Sequence, residues 1–105
     1  MSFLRACALS DLQEDVPKRV DLNGVPVSIV RTGEGVFAIN DTCSHANVSL
    51  SEGEVEDCMI ECWLHGSSFD LRTGKPSGLP ATKPVAVYPV KIEGDDVLVS
   101  VNQES

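Results

Sequence analysis

Lys18-Arg-Val-Asp-Leu22, Asn23-Gly24 and Val25-Pro-Val-Ser-Ile-Val-Arg31 make two β-rich runs around a two-residue break. Asparagine and glycine both accept φ > 0, which a tight hairpin turn requires at its two central positions, so this stretch predicts an antiparallel pair. The same pattern continues outward. Val36 to Asn40 follows the Gly33-Glu34-Gly35 turn, and Val85 to Ile92 and Val97 to Val101 flank Gly94-Asp95-Asp96. Val97, Val99 and Val101 alternate as one buried face of a strand should. No long window keeps an apolar period of 3.6, so the fold class expected is all-β. One short helical turn is expected from Ser10, where Ser10-Asp-Leu-Gln13 has capping-box spacing and Pro17 limits its length.

A different kind of sequence runs from Asp41 to Pro84. Weak strand candidates at Glu54 to Glu61 and Ser68 to Leu71 alternate there with Gly, Ser and Pro, and Thr73-Gly74 and Ser77-Gly-Leu-Pro80 mark a turn and a loop. Residues 41–84 read as an insertion that builds a site within a single domain spanning 1–105.

A chain of 105 residues and 11.2 kDa buries only about 60–70% of its unfolded surface, so a metal centre would matter to its stability. Its 42% hydrophobic and 23% charged residues are ordinary for a globular domain. No segment approaches the roughly 18 apolar residues of a membrane span. The N-terminal stretch is interrupted by Arg5 and followed by Glu14 and Asp15, unlike a secretory signal, so a cytoplasmic location is expected. Four cysteines could form two disulfides in an oxidising compartment, but metal ligation suits the cytosol better.

The net charge of −8 is unevenly placed. From Thr32 through Leu71 there is no Lys or Arg against eight acids: Glu34, Asp41, Glu52, Glu54, Glu56, Asp57, Glu61 and Asp70. The remainder balances eight bases with eight acids. Such a distribution argues against a nucleic-acid partner and for a positively charged protein.

Within the acidic segment stand Cys43-Ser-His45 and, after 16 intervening residues, Cys62-Trp-Leu-His65; these histidines are the only two in the chain. Each pair sets one thiolate and one imidazole on a tight loop, and two loops complete a four-ligand site. A Cys2His2 set fits tetrahedral zinc or a two-iron cluster in which one iron takes both thiolates and the other both imidazoles. Zinc fingers group like ligands and commonly put the histidines on a helix, whereas each loop here mixes one of each and no helix is available. Mixed loops suit the cluster. Exchanging two thiolates for neutral imidazoles lowers the negative charge of the centre and brings its potential to roughly −150 to +300 mV.

The run Cys43-Ser-His45 … Cys62-Trp-Leu-His65-Gly-Ser-Ser-Phe69-Asp-Leu-Arg-Thr-Gly74 resembles the signature of Rieske proteins. The whole chain is similar to the small ferredoxins of bacterial aromatic-ring dioxygenase systems. That resemblance implies a Rieske fold, antiparallel β-sandwich-like sheets with an inserted cluster-binding subdomain. It implies one [2Fe-2S] cluster per chain, with Cys43 and Cys62 on the buried iron and His45 and His65 on the outer one. It further implies a soluble, monomeric one-electron carrier, not an enzyme, between a flavin-dependent reductase and a terminal oxygenase or similar acceptor, with no membrane partner. Reduction should favour imidazole protonation, because it adds a negative charge beside the two histidines. High-potential relatives carry an extra Cys in each loop and a Tyr near the second; Val48, Leu64 and Phe69 stand at those positions, which places the potential in the lower part of the range. Ser67 keeps a hydroxyl that could bond a bridging sulfide.

Two readings of other classes stand beside the carrier: a zinc-stabilised binding module, and a non-carrier regulatory or assembly subunit of a larger complex. Cys7 and Cys58 fit neither loop and read as free, partly buried thiols. Trp63 is open to two roles, an exposed electron-path or docking residue or an aromatic that shields the centre. Gly66, Gly74 and Gly78 serve backbone conformation, and Gly78-Leu-Pro80 matches the covering loop of the family.

Overall fold

The computed structural model describes residues 3–42, 48–63, 68–76 and 83–101. Among them run ten strands: β1 (Leu4–Ala8), β2 (Lys18–Leu22), β3 (Val25–Thr32), β4 (Gly35–Asn40), β5 (Val55–Glu56), β6 (Met59–Glu61), β7 (Ser68–Asp70), β8 (Val87–Tyr88), β9 (Val90–Glu93) and β10 (Asp96–Val99). They form three antiparallel sheets, ordered β1-β10-β9, β2-β3-β4-β8 and β5-β6-β7. Among the described residues the only helical pieces are two short 3-10 turns, Leu9–Asp11 and Leu50–Glu52.

In the four-stranded sheet β3 and β4 lie between two cores. Along β3 and β4 the side chains alternate between two cores, as strand geometry requires. Val27, Ile29 and Ala38 face the core shared with Val97 and Val99 of β10, while Val30 and Ile39 face the core of the small β5-β6-β7 sheet. The expected hairpin is present, with Lys18 paired to Ile29 and Leu22 to Val25, and Asn23 and Gly24 at φ 53° and 83°.

Three local expectations are corrected, and one strand is added. The run Val85 to Ile92 is not one strand: Pro89 has no amide to extend a ladder, so β8 pairs with β4 in the four-stranded sheet and β9 with β10 in another. Glu54 to Glu61 is a hairpin, turning at Asp57-Cys58, both in the left-handed region at φ 57° and 61°. The N-terminal residues form a strand, β1, on the edge of β10. Ser10 does not cap a helix. It sits inside the first 3-10 turn, its hydroxyl and amide donating to the Asp95 carboxylate at 3.0 and 3.1 Å.

Candidate functional site

Both Cys-His pairs fall in loops whose ends are joined by antiparallel pairing. The first loop leaves β4 through Asp41 and Thr42 and returns at Ser49, with Thr42 and Ser49 bridged. The second connects β6 to β7, with Glu61 paired to Ser68. Of the four expected ligands, Cys62 is described; Cys43, His45 and His65 lie outside the described residues, as do Leu64, Ser67, Gly66 and Gly78.

Cys62 is fully buried, a free thiol on the first residue after β6, and packs in the core of Ile60, Leu50 and Phe69. Val48, on the returning limb of the first loop, packs against the same core. The two loops therefore rise from one apolar base. A further contact locks them together: a Cβ on Gly53, which ends the 3-10 turn after the first loop, would stand 1.7 Å from the carbonyl oxygen of Glu61, the residue before Cys62. A buried thiol and two closed loops that each carry one Cys and one His make a donor set that fits a two-iron cluster. Next to Cys62 the chain turns outward, and Trp63 is 51% exposed, which does not fit a shielding role. Phe69 is fully buried and offers no hydrogen-bond donor.

Electrostatics divide the eight acids of the central segment. Asp41 is buried and paired with Arg19, and Glu34 and Asp70 both meet Arg72. Hydrogen bonds from Arg72 hold the Asp70 carboxyl below the usual carboxylate range. Glu52, Glu54, Glu56, Asp57 and Glu61 are exposed, and no ion pair joins them to a described base. Four of these five, with Met59 and Ser68, line a shallow concavity of about 410 Å³ on the outer face of the small sheet. Cys7 and Cys58 are buried free thiols, as expected, and burial pushes both above the ordinary thiol range.

Asp41 is the residue at the loop base that charge counting misplaces. It counts as one of eight acids, yet it is 2% exposed and its carboxylate accepts hydrogen bonds from Ser49 and Ser51 on the returning limb of the first loop. The signal lies in Asp41-Thr-Cys43 followed by Ser49-Leu-Ser51, an acid on one limb and alternating hydroxyls on the other.

Comparison with known proteins agrees with this architecture. Residues 2–89 match the family described as "Rieske [2Fe-2S] domain". The 3-phenylpropionate/cinnamic acid dioxygenase ferredoxin subunit of Escherichia coli (strain K12) is 43% identical over 102 residues, covering 96% of this chain and 95% of that protein. Among solved structures, the ferredoxin of carbazole 1,9a-dioxygenase from Nocardioides aromaticivorans IC177 superposes with a TM-score of 0.90 at 39% identity, over 95% of this chain and 98% of that one. A chain in the complex of reduced oxygenase and oxidized ferredoxin of carbazole 1,9a-dioxygenase superposes with a TM-score of 0.87 at 38% identity, over 92% of this chain and 100% of that one. These relatives are electron-transfer subunits and not the catalytic partners. The chain belongs to the Rieske [2Fe-2S] family, as an electron-carrying ferredoxin.

Proposed function

We propose that Cys43, His45, Cys62 and His65 hold the cluster and that the chain, acting as a cytoplasmic monomer, relays single electrons from a flavin-dependent reductase to a terminal oxygenase. Residues 41–84 act as the cluster-binding subdomain. One observation carries the ligand assignment: Cys62 is fully buried in the core against which Val48 of the other loop packs, so the two Cys-His loops share a base. Bound there, a Rieske cluster supplies a one-electron store whose potential is tuned by its imidazole and thiolate ligands.

The chain's own residues do the rest. Apolar packing of Leu50, Ile60 and Phe69 around Cys62 keeps water from its thiolate. Glu54, Glu56 and Glu61 present unneutralised charge beside the second loop, which suits steering toward a basic partner surface. Half-exposed Trp63 offers an aromatic contact at the same place.

The test is a reconstituted chain of reductase, this protein and oxygenase. Oxygenase reduction should require this protein in catalytic amounts and should fail with the Cys62→Ser variant. Equal oxygenase reduction in its absence would remove the relay.

A further inference from the structure

We propose that Asp41 is a positioning residue for the first ligand loop, clamping the two limbs between which Cys43 and His45 are carried. The inference rests on the ligand assignment above. The Asp41 carboxylate accepts hydrogen bonds from the Ser49 hydroxyl and, at 2.9 Å, from the Ser51 amide, and lies 3.3 Å from Nε of Arg19 on β2. Its backbone is tied as well: its amide donates to the Pro26 carbonyl at 2.9 Å, and its carbonyl accepts the Leu50 amide at 2.6 Å. One residue thus joins the departing limb, the returning limb and the four-stranded sheet.

A carboxylate that served only as a local turn cap would sit at the surface, where water solvates it. Asp41 is 2% exposed, its charge faced by a single cation that is itself half exposed, and the hydroxyl and amide it receives both come from the far limb. Such a buried charge is held in one place by its partners, because losing any of them leaves it undersolvated. The polar floor extends to Ser28, the register partner of Arg19, whose fully buried hydroxyl has no hydrogen-bond partner among the described residues. Cys7, Cys58 and Cys62 are free, so no disulfide among them braces the loop. The clamp is electrostatic, and it acts on the loop that carries two of the four ligands.

The test uses full-length, cluster-loaded protein. Asp41→Asn preserves shape but removes the charge and turns one acceptor into a donor. At a temperature where far-UV circular dichroism remains native, it should release iron to an excess chelator at least tenfold faster than the parent, and the reduced protein should show shifted EPR g values. Arg19→Gln should accelerate release less. Asp96→Asn, which breaks the Arg5 ion pair on another sheet, should leave both readouts unchanged.

Parental release and g values in Asp41→Asn would overturn the proposal, as would release that rises only in step with global unfolding while the g values stay fixed. Should Asp41→Asn fail to fold, Ser49→Ala and Arg19→Gln decide: unchanged release in both overturns the clamp, and faster release with native circular dichroism supports it. A parent protein without a two-iron EPR signal overturns the ligand assignment and the clamp together. A normal parent signal with an unperturbed variant overturns the clamp alone.

Discussion

Gly53 lies against Glu61 so closely that a side chain there would overlap the Glu61 carbonyl, with Cβ 1.7 Å from its oxygen and 2.9 Å from its carbon. The residue following one ligand loop is thereby fitted to the residue that opens the other. Gly53→Ala should force β6 away and displace Cys62. Overpacking against backbone costs about 1–3 kcal/mol or more. Chemical denaturation of the variant should show that loss, accompanied by lower iron content per chain.

Gly74 needs glycine for two reasons. Its φ is 78°, and a Cβ would meet the Val85 carbonyl oxygen at 2.2 Å, where the Val85 amide donates back to the Gly74 carbonyl at 2.9 Å. Gly74→Ala should lose about 1 kcal/mol from backbone strain alone, and more from the collision. Thermal melting checks it.

How much of this was legible beforehand depended on how local the cause is. Asn23-Gly24 and Gly94-Asp95 announce their hairpins because the turn itself demands those residues. Asp57-Cys58 announces nothing: Cys58 holds a left-handed conformation because its side chain is buried in the core, a tertiary cause with no local mark. β1, with Arg, Ala and Cys, lacks β-branched residues and exists because β10 offers an edge. Pro89 could be read as a break, but its use as the point where the chain changes sheets depends on which neighbours accept β8 and β9. The proposed ligand set rests on residue type and spacing; the burial of Asp41 was not legible, since charge alone does not tell a buried carboxylate from a solvated one.

Acid stability should depend on the Asp70–Arg72 pair. Hydrogen bonding to Arg72 lowers the Asp70 pKa in the folded protein. The contribution is therefore present above the ordinary carboxylate range and is lost as pH falls through the depressed value. Asp70→Asn should flatten the acid limb of stability against pH by lowering stability at neutral pH while leaving the most acidic values unchanged, the loss being modest because the pair is partly exposed. Denaturant titrations at stepped pH test this.

Cys7 and Cys58 should be inert in the native state. Burial raises both thiol pKa values, so the folded protein retains these protons while an unfolded chain would lose them; the contribution to stability is full below the ordinary thiol range and declines as pH rises through the raised values. Iodoacetamide at mildly alkaline pH should modify neither thiol until denaturant is added. Mass spectrometry of the native protein reads the outcome directly.

The carboxylates of the small sheet should matter to association more than to folding. Antiparallel register sets Glu54 opposite Glu61, and like charges directly opposite are destabilising. Replacing Glu54, Glu56 and Glu61 with Gln should keep or slightly raise stability while slowing electron delivery up to about tenfold at low salt and flattening its salt dependence. Stopped-flow rates across ionic strength decide it.

A two-iron centre held by Cys43, His45, Cys62 and His65 can be read by low-temperature EPR of the reduced protein with iron and zinc assayed in the same sample. The expected result is two irons per chain, no stoichiometric zinc, and a one-electron signal with nitrogen coupling from two imidazoles that Cys62→Ser abolishes. A colourless protein with one zinc per chain and no reducible signal would contradict it.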